Sequence, residues 1–280
     1  MILEFNDARR IFQYDYIFFD ACFLTVWIIF IIKYKMWNVI KVGAITGFIV
    51  YCIDAIWWYN TPAGPNYPPG TFIREYWIGG VHMPHPIDGY FWIKFGADFM
   101  MNISYSMFAF GWLLIAYKSY RSGNKKRLAL FTSLFFGSWM LTPILSNLIP
   151  LNDTIVRTVR HMDTQMSVWI ANVIIGYSIV FLIYGTNLFK RKNYKIIEFI
   201  FLTGVTESFF MEFPLWITGI RPSSFYFLLF ELVILFNQGA PYLYILWDIV
   251  WPWTNKKLKI ILKAETKPKE LVKEQEIATI

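Results

Sequence analysis

The sequence predicts an all-α, polytopic integral membrane protein, a seven-transmembrane-helix bundle with its N-terminus outside and its C-terminus inside. Three observations carry that prediction. The 280 residues are 56% hydrophobic, 20% aromatic and only 16% charged, which does not describe a soluble chain. Apolar runs of about 20 residues, the length a helix needs to cross the hydrocarbon, recur along it. Basic residues alternate between dense and sparse from one connection to the next. The runs are continuous rather than alternating, which disfavours a barrel, and they fill more than half of the chain, which excludes a separate globular domain.

Span one, 12–32, follows Glu4, Asp7, Arg9 and Arg10 and carries Asp15 and Asp20. That is unlike the basic start and uninterrupted apolar stretch of a cleaved signal peptide, so the span is expected to stay. Cys22 falls in span one and Cys52 in span two, 37–59, which makes neither a disulfide framework nor a paired metal motif. The connection 60–95 is long. It opens with TPAGPNYPPG, a series of turns, and continues with Tyr76, Trp77, Tyr90, Phe91 and Trp92. Its aromatic content argues for order, either as a lid over the outer mouth or as an aromatic anchor at the headgroups. Spans three to seven follow at 96–117, 128–149, 166–189, 196–218 and 224–250, with Pro214 and Pro241 as possible kinks. Residues 1–254 then form the transmembrane domain and 255–280 a basic cytoplasmic tail, read as a short interfacial helix and a solvated end.

The segments after spans one, three, five and seven hold sixteen lysines and three arginines, and the opposite set holds six arginines and one lysine. The positive-inside rule therefore sets the orientation, and an odd number of spans fits it. The net charge of +7 belongs to an anionic inner leaflet, so no nucleic-acid partner is needed. Arginine's planar fork suits carboxylate or phosphate, so the outer face is expected to have pairing to do.

Ionisable groups within spans are costly and normally face the bundle interior. Here they are Asp15, Asp20, Asp54, Asp98, Glu207, Glu212 and Glu231, and no span offers a mid-membrane lysine or arginine to neutralise them. On the helical rise, Asp20, Asp54, Asn102, Glu212 and Glu231 lie roughly 7 to 12 Å below the outer boundary, where they could line one cavity. Asp98, Asn102 and Tyr105 share a helix face, as do Gln165 and Asn172, Thr203 and Glu207, Ser208 and Glu212, and Glu231, Gln238 and Tyr242. Carboxylates crowded between aromatic walls repel one another and lose solvation, which favours keeping a proton on some of them. Both a general acid and a proton-coupled carrier need that property.

Other constellations are weaker. His82, His85 and His161, with Asp163, could supply metal ligands, but the spacing matches no metal-enzyme motif, and lone polar histidines are the favoured reading. Arg74, Arg157, Arg160 and Arg221 stand around the mouth. They either hold the phosphate of a lipid or pair with Glu75, Asp153 and Asp163, and the ion pairs are favoured. No DDxxD, GxSxG, P-loop or Rossmann fingerprint occurs, no cofactor is implied, and span seven lacks a retinal-type lysine.

With Asp54 ahead of Trp57 and Trp58 in span two and Glu231 in span seven, the plan resembles the integral-membrane terpene cyclases. Those are seven-span proteins that protonate an isoprenoid with an intramembrane acid. The resemblance is one of layout and covers no extended motif. The expected function is acid or base chemistry on an apolar, lipid-soluble substrate within the membrane. Asp54, Glu212, Glu231, Asp20 and Glu207 are the candidate proton donors and acceptors. Asp98, Asn102, Tyr105, Trp57, Trp58, Trp216, Arg74 and Arg221 are the candidate substrate contacts. A proton-coupled transporter or channel, and a seven-helix receptor or assembly factor, are the alternatives; polar residues thin out toward the inner face, which tilts against transport.

Overall fold

A computed structural model describes residues 7–83 and 89–257, apart from the side chains of 7, 163 and 164. In chain order it contains β1 (Asp7–Gln13), α1 (Asp15–Lys33), α2 (Trp37–Asn60), β2 (Arg74–Ile78), β3 (Val81–His82), α3 (Phe91–Ser122) and α4 (Lys125–Leu148). There follow β4 (Ile155–His161), α5 (Gln165–Gly185), α6 (Tyr194–Ile217) and α7 (Phe225–Lys257). The structure is 72% helical, and among the described residues six helices are long and apolar enough to span a membrane. The remaining long helix is α6, whose 24 residues include Glu198, Glu207 and Glu212. Those glutamates dilute its apolar character.

α3 is the centre of the bundle. Of its apolar window 78% is buried, against 28–33% for α1, α2, α4 and α5. α1, α2, α4, α6 and α7 pack around it, and α5 leans on α6 and α7. The outer helices turn apolar rows outward, among them Ile29, Ile45, Phe48, Ile174 and Ile175, as a chain surrounded by hydrocarbon requires. α2 and α3 approach closely because glycines face the contact: a Cβ on Gly47 would stand 3.0 Å from the Ile103 Cα. Lower down, Trp27 of α1 packs its ring on Phe108, Phe131 and Phe135, and its indole N–H donates to the Met107 carbonyl at 3.0 Å.

The all-α expectation is corrected by a four-stranded antiparallel sheet, order β1-β4-β2-β3, seated on one end of the bundle. Residues 7–13, partly assigned to span one, form a strand because DARRIFQ alternates. Ala8, Arg10 and Phe12 are buried, while Arg9 and Ile11 are exposed. The register places Arg10 beside Thr158 and Thr158 beside Tyr76, then Ala8 beside Arg160 and Arg160 beside Arg74. Alternate residues of a strand share a face, so one face of the sheet turns Arg10, Arg74 and Arg160 toward the helices. β2 and β3 turn on Gly79 and Gly80, both at positive φ, the two-residue hairpin that glycine permits. The sheet is tied to the α6–α7 connection by the Ile11 N–H, which donates to the Ile220 carbonyl at 2.8 Å.

Part of the expected lid thus forms two of the strands; its residues 84–88 lie outside the described residues. So does the tail after Lys257, where the interfacial helix was expected.

Candidate functional site

Several helices widen into π-type turns where the polar residues sit. Cys52–Trp57 carries Asp54, Phe99–Ser104 carries Asn102, and Glu231–Leu235 begins with Glu231. Such turns rotate a side chain off the regular helical register and are frequent at functional sites. Here they direct polar groups into the upper half of the bundle, beneath the sheet.

The spans offer the acids no mid-membrane arginine; the neutralising arginines come from the sheet and from the α6–α7 connection above them. Arg160 holds Asp54 with both prongs of its fork, Nε to Oδ1 at 3.1 Å and Nη2 to Oδ2 at 2.9 Å, and Arg74 also pairs with Asp54. Arg74 reaches Asp98 as well, at 3.3 Å. Asp98 further accepts from the Tyr76 hydroxyl and from Lys94 Nζ, the latter at 2.5 Å. Glu212 is clamped between Arg10 Nη2 at 3.1 Å and Arg221 Nε at 3.1 Å. Arg221 donates to both oxygens of Glu231, Nε to Oε2 at 2.9 Å. The favoured partners of the arginines, Glu75, Asp153 and Asp163, are therefore not the ones Arg74 and Arg221 take. Glu75 instead meets His161 at 3.0 Å and His82 at 3.4 Å.

Burial draws Arg160 and Arg221 down to about 10, Arg160 with help from the Arg10 charge and Arg221 against the pull of Glu212. Both stay cationic at neutral pH. Burial likewise lowers Arg74, opposed by Tyr76 and Asp98, and raises Tyr76 well above its ordinary value. Glu75 lies below the ordinary carboxylate value. Burial pushes it up, but the hydrogen bond and charge of His161 outweigh that effect.

Beside this network lies a cavity of about 560 Å³ between α2, α3, α5, α6 and α7. Arg10 and Arg160 form its upper end, with Asp54, Glu207, Asn102, Tyr105, Ser106, Gln165, Asn172 and Gln238 as polar lining. Trp57, Trp58, Phe110, Val168, Trp169 and Phe236 supply the apolar walls. Asp54 and Glu207 are the carboxylates that line it, and they differ. Asp54 is held by two arginines, whereas Glu207 has no ion-pair partner among the described residues; the Ser208 hydroxyl lies 3.5 Å from it. Ser106 Oγ and Gln165 Oε1 are buried in the lining without a hydrogen-bond partner. Orphaned polar atoms in a cavity are the groups a ligand or bound water satisfies.

The cavity opens between α2 and α5. Trp58 meets Trp169 there, rings 5.7 Å apart, with the Arg160 guanidinium over both. Beside that bridge the lining residues Trp57 and Val168 are 63% and 57% exposed, and the side chains of Ile49 and Ile56 on α2 and of Ile174 and Ile175 on α5 are exposed as well. On the inner side of Phe110 the centre is filled by the buried side chains of Trp112, Leu113, Tyr117 and Tyr244.

The candidate residues divide accordingly. Asp54, Glu207, Asn102, Tyr105, Trp57 and Trp58 line the cavity. Glu212, Glu231, Asp98, Arg74 and Arg221 belong to the ion-pair layer next to it. Asp20, buried on α1 with Oδ2 unpartnered, does not line it, and neither does Trp216, whose indole N–H donates to the Ser223 carbonyl at 3.0 Å. Among the described residues no group of three or more His, Cys, Asp or Glu is placed to hold a metal, and His85 lies outside them. Sequence reasoning missed Arg10, Ser106, Phe110, Trp169 and Phe236 as lining and Lys94 as a partner of Asp98. For Arg10 the alternation of DARRIF was the available signal; for Lys94 it was the four-residue spacing to Asp98.

Comparison of the chain with protein-family models, with curated proteins and with solved structures finds no match.

Proposed function

We propose that this is a seven-span membrane enzyme that takes a lipid-soluble molecule from the outer half of the bilayer into the cavity and performs acid–base chemistry on it through Glu207. In this reading α6 is the seventh span: it is as long as α4 and packs among α3, α4 and α7. The sheet then lies outside, because the lysine-dense connections are at the other end.

The observation that carries the reading is the division of labour between two carboxylates in one cavity. Arg74 and Arg160 pair with Asp54, while no cation among the described residues pairs with Glu207, which leaves Glu207 as the carboxyl available to exchange a proton. The mouth has apolar edges and the far end is polar, which selects a molecule with an apolar body. The walls are aromatic, and such faces stabilise a cation. An isoprenoid-like alkene fits this environment. The Glu207 carboxyl donates its proton to one alkene carbon, forming a C–H bond; the neighbouring carbon becomes cationic against the rings. Loss of a proton from an adjacent carbon back to the carboxylate gives an isomerised alkene; where a second double bond of the same molecule first gives its π pair to the cationic carbon, the ring C–C bond forms, the charge moves to the far carbon of that double bond, and proton loss beside it gives a cyclised isomer.

The test is to reconstitute the full chain in liposomes with isoprenoid alkenes and follow substrate and product by mass spectrometry. Conversion that disappears in Glu207→Gln, with the fold retained, is expected; a factor of about 10² to 10⁴ is typical for a general acid. Proton flux across the liposome wall without any new product would instead establish transport. The filled inner half of the bundle disfavours that outcome.

A further inference from the structure

At the end of the bundle opposite the sheet there is a second cavity, of about 290 Å³, bounded by α2, α3 and α7. Its position follows from α3, which passes the first cavity at Tyr105 and reaches Lys118 about 20 Å further on. Lys118 lines it, partly buried, and has neither a hydrogen bond nor an ion pair among the described residues. Arg121 stands one turn beyond, its guanidinium 4.0 Å from the Trp247 ring and paired with Asp248, which Arg191 also holds at 2.9 Å. Two cations therefore already share that carboxylate, and it does not answer Lys118. The amides of Asn38 and Asn255 complete the polar side, while Val42, Leu114, Leu243, Leu246 and Trp251 make the rest apolar.

An ammonium group without a partner in a small cavity calls for an anion, and the donors around it suit a phosphate. The apolar half of the lining, with Leu246 42% exposed, leads from the cation outward over α7, the path an acyl chain would follow. We infer that this cavity binds the headgroup of an anionic phospholipid, its phosphate on Lys118 and Arg121 and its chain along Leu246 and Trp251. A zwitterionic headgroup brings its own cation to the same place and is disfavoured. The site stands apart from the proposed catalytic cavity and holds whether or not Glu207 does chemistry.

Native mass spectrometry of the full chain in a neutral detergent, offered phosphatidylglycerol and phosphatidylcholine in equal amounts, tests this. The wild type should retain phosphatidylglycerol preferentially. Lys118→Gln, or Lys118→Met as a second variant, should lower that retention about fivefold, the effect of one lysine contact with an anionic lipid surface. Lys118→Arg should restore it, and Lys126→Gln, on the exposed start of α4, should leave it unchanged. Equal retention of the two lipids, or retention indifferent to Lys118, would overturn the assignment. So would displacement of the bound lipid by inorganic phosphate alone, which would mark a free-anion site.

Discussion

Glu207 and Glu212 stand five residues apart on α6, both buried, and their surroundings assign them opposite roles. Glu212 sits between the forks of Arg10 and Arg221, so removing its charge leaves two guanidiniums in a low-dielectric interior with one partner fewer. Glu212→Gln is expected to cost roughly 3–5 kcal/mol, the usual penalty for breaking a buried pair, read as a large fall in the midpoint of thermal unfolding in detergent. Glu207→Gln keeps a hydrogen-bonding group of the same shape and strands no cation; its midpoint should stay close to that of the wild type. Equal losses in the two variants would contradict the division. At this scale the acids were legible, because carboxylates in apolar runs are conspicuous. Their partners were not: Arg10 reaches Glu212 across 202 residues of sequence, and no local spacing encodes such a pair. Reading the arginines as partners of nearby Glu75 or Asp163 followed sequence proximity, whereas burial of the acids decided the pairing.

The sheet is the element that makes the cluster possible. A strand presents every second residue to one side, so DARRIFQ and IVRTVRH can lower Arg10 and Arg160 onto the bundle while Phe12 and Val156 are buried beside them. The helices were legible from their apolar runs, to within a few residues at most ends. The strands were hidden because seven-residue segments mixing basic and β-branched residues look like ordinary connections between spans. The register of α2 against α3 matters as much: Gly47 meets Ile103 and the Ala55 carbonyl accepts from Lys94, which sets Asp54 close to Asp98, the two acids that Arg74 joins. Gly47→Val would drive a side chain into the Ile103 backbone and force the helices apart. A destabilisation of about 1–3 kcal/mol is expected, with reduced catalytic turnover at lower temperature, where the fold is kept. A variant as stable as the wild type would show that this contact does not position the site.

For the molecule as a whole, the charge asymmetry and the geometry converge. The lysine-dense end carries the small cavity at Lys118, and the arginine-bearing sheet covers the end with the large one. The proposed orientation puts the lysine-dense end inside: with Cys22 and Cys52 replaced by alanine, an impermeant maleimide should label Pro69→Cys on intact cells and Lys126→Cys only after permeabilisation. The reverse pattern would invert the protein and place the large cavity in the inner half of the bilayer. The span at 196–218 was read from length and apolarity together. The glutamates that make α6 functionally informative are the same residues that weaken its apolar signal.

Entry of hydrocarbon-borne molecules between α2 and α5 is read by photolabelling. The full chain in liposomes is illuminated with a lipid carrying a photoactivatable group on its chain, and the adducts are mapped by mass spectrometry. Labels on Trp57 and Val168 at the mouth and on Tyr105 and Phe110 inside are the predicted result. Labels confined to outward rows such as Ile29 and Ile45, with Tyr105 and Phe110 untouched, would mean that the cavity is closed to the bilayer.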